Sequence, residues 1–272
     1  MKQKYFILAN FVTMSARNTK KIVLFLVVTV IFGVNSRAAN IKSEKTSAIE
    51  LLKVDSVYNQ AKYNFNRFTT ALYHKTNVKT LSYDAFKQGV IGYLNMVKRN
   101  EVTVERYLTI IDFSKPSTDE RLFIFDVCSQ TLVYQSIVSH GRNSGGLYAT
   151  KFSNKNNSHQ SSLGFYKTTS TYQSSKFKLA LRLDGLEYSN NKARSRGVVM
   201  HAADYATYDF LKRNGSLGRS YGCPAMPHEN FKEVVSWIKH GSCMYIYYPS
   251  KSYQRYSKYL NRKNYLEDFM EA

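Results

Sequence analysis

The chain is poor in the residues that mark several protein classes. Its 272 residues include only three cysteines, four prolines and one tryptophan. Three thiols cannot all pair, so a disulfide-stapled framework is excluded and at least one cysteine is free. Glycine, at 13, and proline are too few for a fibrous or unfolded polymer. No C-x-x-C and no H-E-x-x-H occurs, and the six histidines never pair at helical i, i+4 spacing. No metal site is expected. A phosphate-cradling G-x-x-x-x-G-K-[ST] loop and a dinucleotide fingerprint are also missing, so no cofactor is expected. RNA-recognition and helix-turn-helix signatures are absent, which argues against nucleic acid as a partner. There is no internal repeat and no Gly/Ser linker.

Acidic residues are scarce as well. There are 19 of them against 39 basic ones, a formal charge of +20. Six basic and no acidic residues fall in 1–38, leaving 33 basic and 19 acidic residues, or +14, in the rest. A basic surface attracts polyanions, whether nucleic acid or an anionic wall polymer. The first 38 residues choose between them. Lys20 and Lys21 precede an apolar run from Ile22 to Gly33, and small residues Ser36 and Ala38 follow. The run is short for a membrane span, and the order of charge, apolar core and small residues is that of a secretory signal. Met14 is a more usual distance from the core than Met1, so translation is expected to start there. The body of the protein is therefore expected in the periplasm or cell envelope. Membrane contact is expected only through the N-terminal segment.

What is abundant is tyrosine, at 22, with apolar and β-branched runs that favour strand. Residues 39–106 are expected to be a helical N-terminal region. "SAIELLKVDSVYNQAKYNF" and "SYDAFKQGVIGYLNMVKR" carry apolar residues at three-and-four spacing, and Ser82 is an N-cap. From Tyr107 the texture becomes β-rich, with short runs at "RYLTIIDFS", "RLFIFDV", "LVYQSIVSHG", "LGFYKTTSTY", "FKLALRLDG", "GVVMHAADY" and "SCMYIYYPS". Residues 141–163 are rich in Gly, Ser and Asn and read as loop. "HENFKEVVSWIKHG" is an amphipathic helix with Phe231, Val234, Val235 and Ile238 on one face, closed by Gly241. Residues 251–272 form a basic, aromatic, helical tail. The fold class is α+β: a mostly β catalytic region over 107–250 with a helical partner.

The chemistry concentrates in "GRSYGCPAMP", Gly218–Pro227. Cys128 and Cys243 lie in apolar runs and read as buried thiols or as partners of each other. Cys223 sits between Gly222 and Pro224, on a turn. A glycine before a nucleophile permits a tight backbone and leaves N–H groups to face a developing oxyanion. A cysteine so placed is either structural or a nucleophile, and a nucleophile needs a base. His201 ends the apolar strand "VVMH" 22 residues upstream, where a loop can leave and return to the same cleft. In papain-like enzymes the cysteine precedes the histidine; here the order is reversed.

Histidine, loop, then S-x-G-C resembles the L,D-transpeptidase catalytic domain (YkuD-type), at His201, Ser220, Gly222 and Cys223. "SSLGFYKT" is similar to the family's T-P-x-G-x-[FY] strand entry, with Gly164 in place. "IVSHGRN" fills the turn after the first hairpin, so His140 and Gly141 are expected to line the cleft. The resemblance runs from about Thr109 to Pro249, and the series "FSN…SSLG…GLE…N…A…R…VVMH…GRSYGCPA" is nearest to a branch of Bacteroidetes-like Gram-negative bacteria. One departure stands out. The family often carries an arginine two residues after the cysteine; here Ala225 is there. Arg194, Arg196 and Arg219 are the local substitutes for a carboxylate clamp, and guanidinium suits that role.

The resemblance implies a murein acyl transferase whose partners are peptidoglycan stem peptides. Cys223 attacks, His201 moves the proton, Ser220 and Gly222 support the turn or oxyanion, and Arg196 and Arg219 hold a substrate carboxylate. Water as acceptor would make it an L,D-carboxypeptidase instead. A non-enzymatic basic wall-binding protein and a Cys-His peptidase of another fold are the alternatives from other classes.

Overall fold

The computed structural model describes residues 38–270. The expected leader, residues 1–38 with Met14, lies outside the described residues except for Ala38. Two compact units divide the chain: Met1–Arg67 with Leu266–Ala272, and Phe68–Tyr265. In the first, the Phe65 and Phe269 rings meet edge to face at 5.3 Å, and Asn64 Nδ2 donates to the Phe269 carbonyl. All chemistry described below belongs to the second.

Helices α1 (Ala38–Thr76) and α2 (Tyr83–Lys98) occupy the predicted helical region. Ser82 caps α2, its hydroxyl accepting from the Ala85 N–H. The other helices, α3 (Tyr208–Asn214), α4 (Phe231–Ile238) and α5 (Lys251–Tyr256), are short. Among the described residues no helix is long and apolar enough to cross a membrane. Eight strands form one sheet: β1 (Tyr107–Asp112), β2 (Leu122–Asp126), β3 (Thr131–Ser136), β4 (Gly164–Ser174), β5 (Lys178–Gly185), β6 (Val199–Ala202), β7 (Ala225–Met226) and β8 (Cys243–Tyr247). Their order is β3-β2-β1-β8-β4-β5-β6-β7. The pairs β1/β8 and β6/β7 are parallel and the others antiparallel. Past β3, Ser139 bridges back to Ala225 on β7, and Gly141 to Ser220. The sheet thereby nearly closes on itself, so the fold is α+β with a barrel-like sheet rather than a two-sheet sandwich.

Burial follows position in that sheet. β2 and β8 are buried along their whole length, whereas edge strand β3 alternates between exposed and half-buried positions. Helix α2 covers one face of the central strands. It comes close because two of its inward positions are glycines: a Cβ on Gly89 would lie 2.7 Å from Ile110 Cδ1, and one on Gly92 would enter the Phe165 ring. The weak helix propensity of glycine is accepted there in exchange for contact between helix backbone and sheet. α4 buries the four residues predicted from its spacing.

The thiols differ from expectation in one respect. Cys243 is buried, but Cys128 is exposed, because "DVCSQT" is the turn between β2 and β3 rather than strand. All three cysteines are free, so Cys128 and Cys243 do not pair.

Candidate active site

Strand β6 delivers His201 and the turn before β7 delivers Cys223. In the parallel β6/β7 pair His201 is in register with Ala225, and its N–H donates to the Pro224 carbonyl. Both side chains line one cleft of about 900 Å³. Cys223 is 8% exposed, on the cleft wall. Its Sγ accepts from the Val199 N–H at 3.4 Å and faces the Gly197 carbonyl at 3.7 Å. Burial raises its pKa, while the Val199 N–H and the charges of Arg196 and Lys176 pull the other way. At rest it is a thiol, and a base is required.

His201, on the same cleft, has the form that a base needs. Its Nδ1 lies 3.0 Å from the Ala202 carbonyl, an acceptor, so the proton sits on Nδ1 and Nε2 keeps its lone pair. The Phe177 ring, from the tip of the β4–β5 hairpin, stacks on the imidazole at 3.8 Å. Burial lowers the His201 pKa, and nearby Lys176 and His228 add to the effect; the Ala202 carbonyl opposes it. The imidazole is neutral at neutral pH.

The turn carrying Cys223 is held from within. Ser220 Oγ donates to the Cys223 carbonyl at 2.6 Å and accepts from the Gly222 N–H at 3.0 Å. Gly222 has φ +119°, and a Cβ on it would lie 2.7 Å from the Gln160 carbonyl oxygen. No other residue fits there without strain. The Gly222 N–H is therefore spent on Ser220. Among the described residues the Cys223 N–H has no intramolecular acceptor and is the donor left to face an oxyanion.

The arginines have separate positions. Arg196 lines the cleft, but its guanidinium is committed. Nη1 donates to the Ser153 carbonyl and Ser162 Oγ, and Nη2 to Ser158 Oγ and the Gln160 carbonyl. It clamps the 153–162 loop against the Cys223 turn, and both terminal nitrogens are used up, so it is not a substrate clamp. Arg194 is outside the cleft, paired with Asp184. Arg219 is exposed and spends one bond on the Gly145 carbonyl at 3.1 Å. It lines the cleft together with Arg142 and Lys176, whose charges lie over the Tyr221 ring. No acidic residue lines this cleft.

The remaining predicted residues lie behind it. His140 does not line the cleft. Its ring is 1% exposed, with Arg121 Nη2 donating to Nδ1 at 2.8 Å and Nε2 facing the Gly145 carbonyl at 3.4 Å. It supports the carbonyl that holds Arg219. Gly141 pairs with Ser220 and gives its N–H to Ser161 Oγ, seating the strand behind the Cys223 turn. Gly164, at φ +115°, makes room for Glu187 and is remote from Cys223's cleft. Sequence reasoning missed Lys176, Phe177, Arg142 and Tyr205. Arg142 directly follows a candidate glycine, but Lys176 and Phe177 had no signal beyond lying between two predicted strands. Among the described residues no three His, Cys, Asp or Glu side chains converge on a cation site.

A buried thiol, a neutral imidazole of fixed tautomer, a free backbone N–H and a cationic wall are the parts that Cys–His acyl transfer requires. The family model of the L,D-transpeptidase catalytic domain matches residues 77–247, and the chain belongs to that family. Among solved structures it is similar to an L,D-transpeptidase from Mycobacterium smegmatis, at 13% identity and TM-score 0.34, covering 53% of this chain and 59% of that one. A Bdellovibrio bacteriovorus protein gives 20% identity and TM-score 0.35, over 61% and 56%. An L,D-transpeptidase from Xylanimonas cellulosilytica gives 14% and 0.31, over 50% and 58%. The chain thus spans less than three fifths of the length of these solved chains. Comparison with curated proteins finds no match.

Proposed function

We propose that this protein is an exported murein L,D-transpeptidase in which residues 107–250 carry the chemistry, residues 39–106 are a helical partner and 251–272 a basic tail. The leading observation is that His201 and Cys223 line one cleft, with the His201 tautomer fixed by the Ala202 carbonyl. His201 Nε2 takes the thiol proton as Sγ attacks the carbonyl at the L-centre of a diaminopimelate residue in a tetrapeptide stem. The Cys223 N–H receives the oxyanion. The imidazolium returns the proton to the amine of D-Ala, which leaves, and a thioester remains. An amine of a second stem then attacks the thioester, giving a cross-link and restoring the thiol.

Both partners rest in their uncharged forms, so burial does not oppose the ground state. The charge separation that attack creates is met by Lys176 and Arg196 around the sulfur. Arg219, with Arg142 and Lys176 beside it, takes the place of the arginine that Ala225 does not supply and holds a stem carboxylate. The test is to incubate the full chain with a disaccharide-tetrapeptide and follow D-Ala release and the intact mass. A covalent adduct on Cys223, lost in Cys223→Ala, is expected. Absence of any adduct, with no dependence on Cys223 or His201, would overturn the reading. Release of D-Ala with water incorporated and no cross-link would make the protein an L,D-carboxypeptidase.

A further inference from the structure

A second cavity of about 400 Å³ opens beyond the 153–162 loop, away from Cys223. Its volume is within the roughly 300–1,000 Å³ of small-molecule sites. Its chemistry is the opposite of the catalytic cleft's. Of the eleven residues that line it, none carries a charge, in a chain whose residues are 21% charged. Six are serine, threonine or asparagine and three are tyrosine.

Aromatic faces form its walls. Tyr248 packs against Phe152 at 4.9 Å, and Phe152 stacks in turn on Phe113, so the Tyr248 ring is held in place. Tyr188 is 91% exposed, a large ring with nothing covering it. Its backbone is nonetheless fixed: Asn154 Nδ2 donates to the Tyr188 carbonyl at 2.8 Å. The hydroxyls of Thr150, Tyr188, Tyr248 and Ser252 take no partner among the described residues. Aromatic faces with unspent hydroxyls around them, and no ion, fit an uncharged polyol. A sugar ring lays its C–H face on an aromatic ring and spends its hydroxyls on neighbouring donors and acceptors. An anionic peptide finds no partner here, and an apolar chain leaves four hydroxyls unpaired.

The two cavities share a wall. Arg196 lines the cleft and donates to the carbonyl of Ser153, which lines the second cavity. A polymer with charged stems on a neutral sugar backbone can therefore place each part where the charge suits it. We propose that this cavity is a binding site for the sugar backbone of the wall polymer, seating the glycan while its stem enters the cleft. The choice of glycan over another polyol rests on the acyl-transfer reading above.

The probe is a peptide-free oligomer of β-1,4-linked N-acetylglucosamine, titrated calorimetrically into the full chain. Saturable binding is expected, weakened about tenfold or more by Tyr188→Ala or Tyr248→Ala and retained by Tyr188→Phe, which keeps the ring. Tyr188 touches little else, so its substitution leaves the melting temperature unchanged. The same Tyr188→Ala chain is expected to release D-Ala from a bare tetrapeptide at the native rate but to show a raised KM for the disaccharide-tetrapeptide. No saturable oligomer binding, or binding indifferent to both tyrosines, would overturn the proposal even if acyl transfer is intact. Oligomer binding that depends on the tyrosines, in a chain that releases no D-Ala, would leave the site standing and sink the acyl-transfer reading.

Discussion

At the scale of single residues, the proposed mechanism separates groups that react from groups that hold them. Cys223→Ser keeps the turn but replaces a polarisable sulfur by a poor nucleophile; adduct formation is expected to vanish, with the melting temperature within about a degree of native. His201→Gln retains a donor toward the Ala202 carbonyl but has no proton acceptor near Sγ. Its turnover is expected to fall by about 10²–10⁴-fold. Arg219 is the residue whose role the sequence left open, and the structure separates it from Arg196. With one bond to the Gly145 carbonyl and an exposed side chain, it has donors left for substrate. Arg219→Ala is expected to raise KM for the tetrapeptide about tenfold or more with kcat little changed, since a charge-assisted bond lost equally in ground and transition states changes binding alone. Arg196→Ala is expected to differ: it frees the 153–162 loop beneath Gly222 and lowers kcat and stability together. An Arg219→Ala chain with native KM would remove it from substrate binding.

At the scale of elements, the hairpin tip between β4 and β5 sets the electrostatics of the base. Phe177 shields the His201 ring, and burial is the leading cause of its lowered pKa. Phe177→Ala admits water and lets that pKa rise toward the ordinary histidine range. The base works only when deprotonated, so the acid limb of kcat/KM is expected to move to higher pH, and a pH–rate profile reads it directly. An unchanged limb would show that the ring only packs. The Phe177 stack was not legible in the sequence, because a residue at a hairpin tip is placed by the twist and length of both strands. Much else was legible. The helical region, the amphipathic α4 and seven of the eight strands follow local patterns of period and capping, and the turn that carries Cys223 follows from its Gly and Pro. The two-residue β7 and the seven-residue α3 did not, being too short to show a period. Glu187 and the tail had no role assigned from sequence. The "GLE" glutamate is buried, accepting from the Phe165 N–H, the Tyr253 hydroxyl and the Ser257 hydroxyl. No local pattern announces a carboxylate whose partners are 22, 66 and 70 residues away. His140, expected in the cleft, is likewise placed by a distant partner, Arg121, 19 residues earlier in the chain.

At the scale of the whole molecule, the His140–Arg121 pair ties catalytic geometry to acid stability. Arg121 is fully buried. Nε and Nη2 donate to the Val138 carbonyl, Nη1 to that of Lys115, and its charge lies over the Phe113 ring. Burial pushes its pKa down to about 9, so it is still cationic at neutral pH. His140 sits 2.8 Å from that cation, and burial first, then the charge of Arg121, push its pKa down to about 4. A free histidine titrates near 6.5, so the unfolded chain takes up this proton first. The stability contribution is complete above pH 6.5 and is lost as pH falls from 6.5 toward 4. At about 1.4 kcal/mol per pH unit for one proton, the loss reaches about 3 kcal/mol, with buried His201 adding in the same direction. Urea midpoints are expected to be flat from pH 8 to 7 and to fall steadily below 6.5. His140→Gln accepts from Arg121 and donates to the Gly145 carbonyl without titrating. It is expected to cost stability at pH 7.5 through imperfect packing but to flatten the acid limb by most of that 3 kcal/mol. A His140→Gln chain with the native acid slope would place the acid sensitivity elsewhere. In the folded chain this proton arrives only near pH 4, where it sets a second charge beside Arg121 and strains the support of Arg219, so KM for the tetrapeptide is expected to rise there in the native chain and not in His140→Gln.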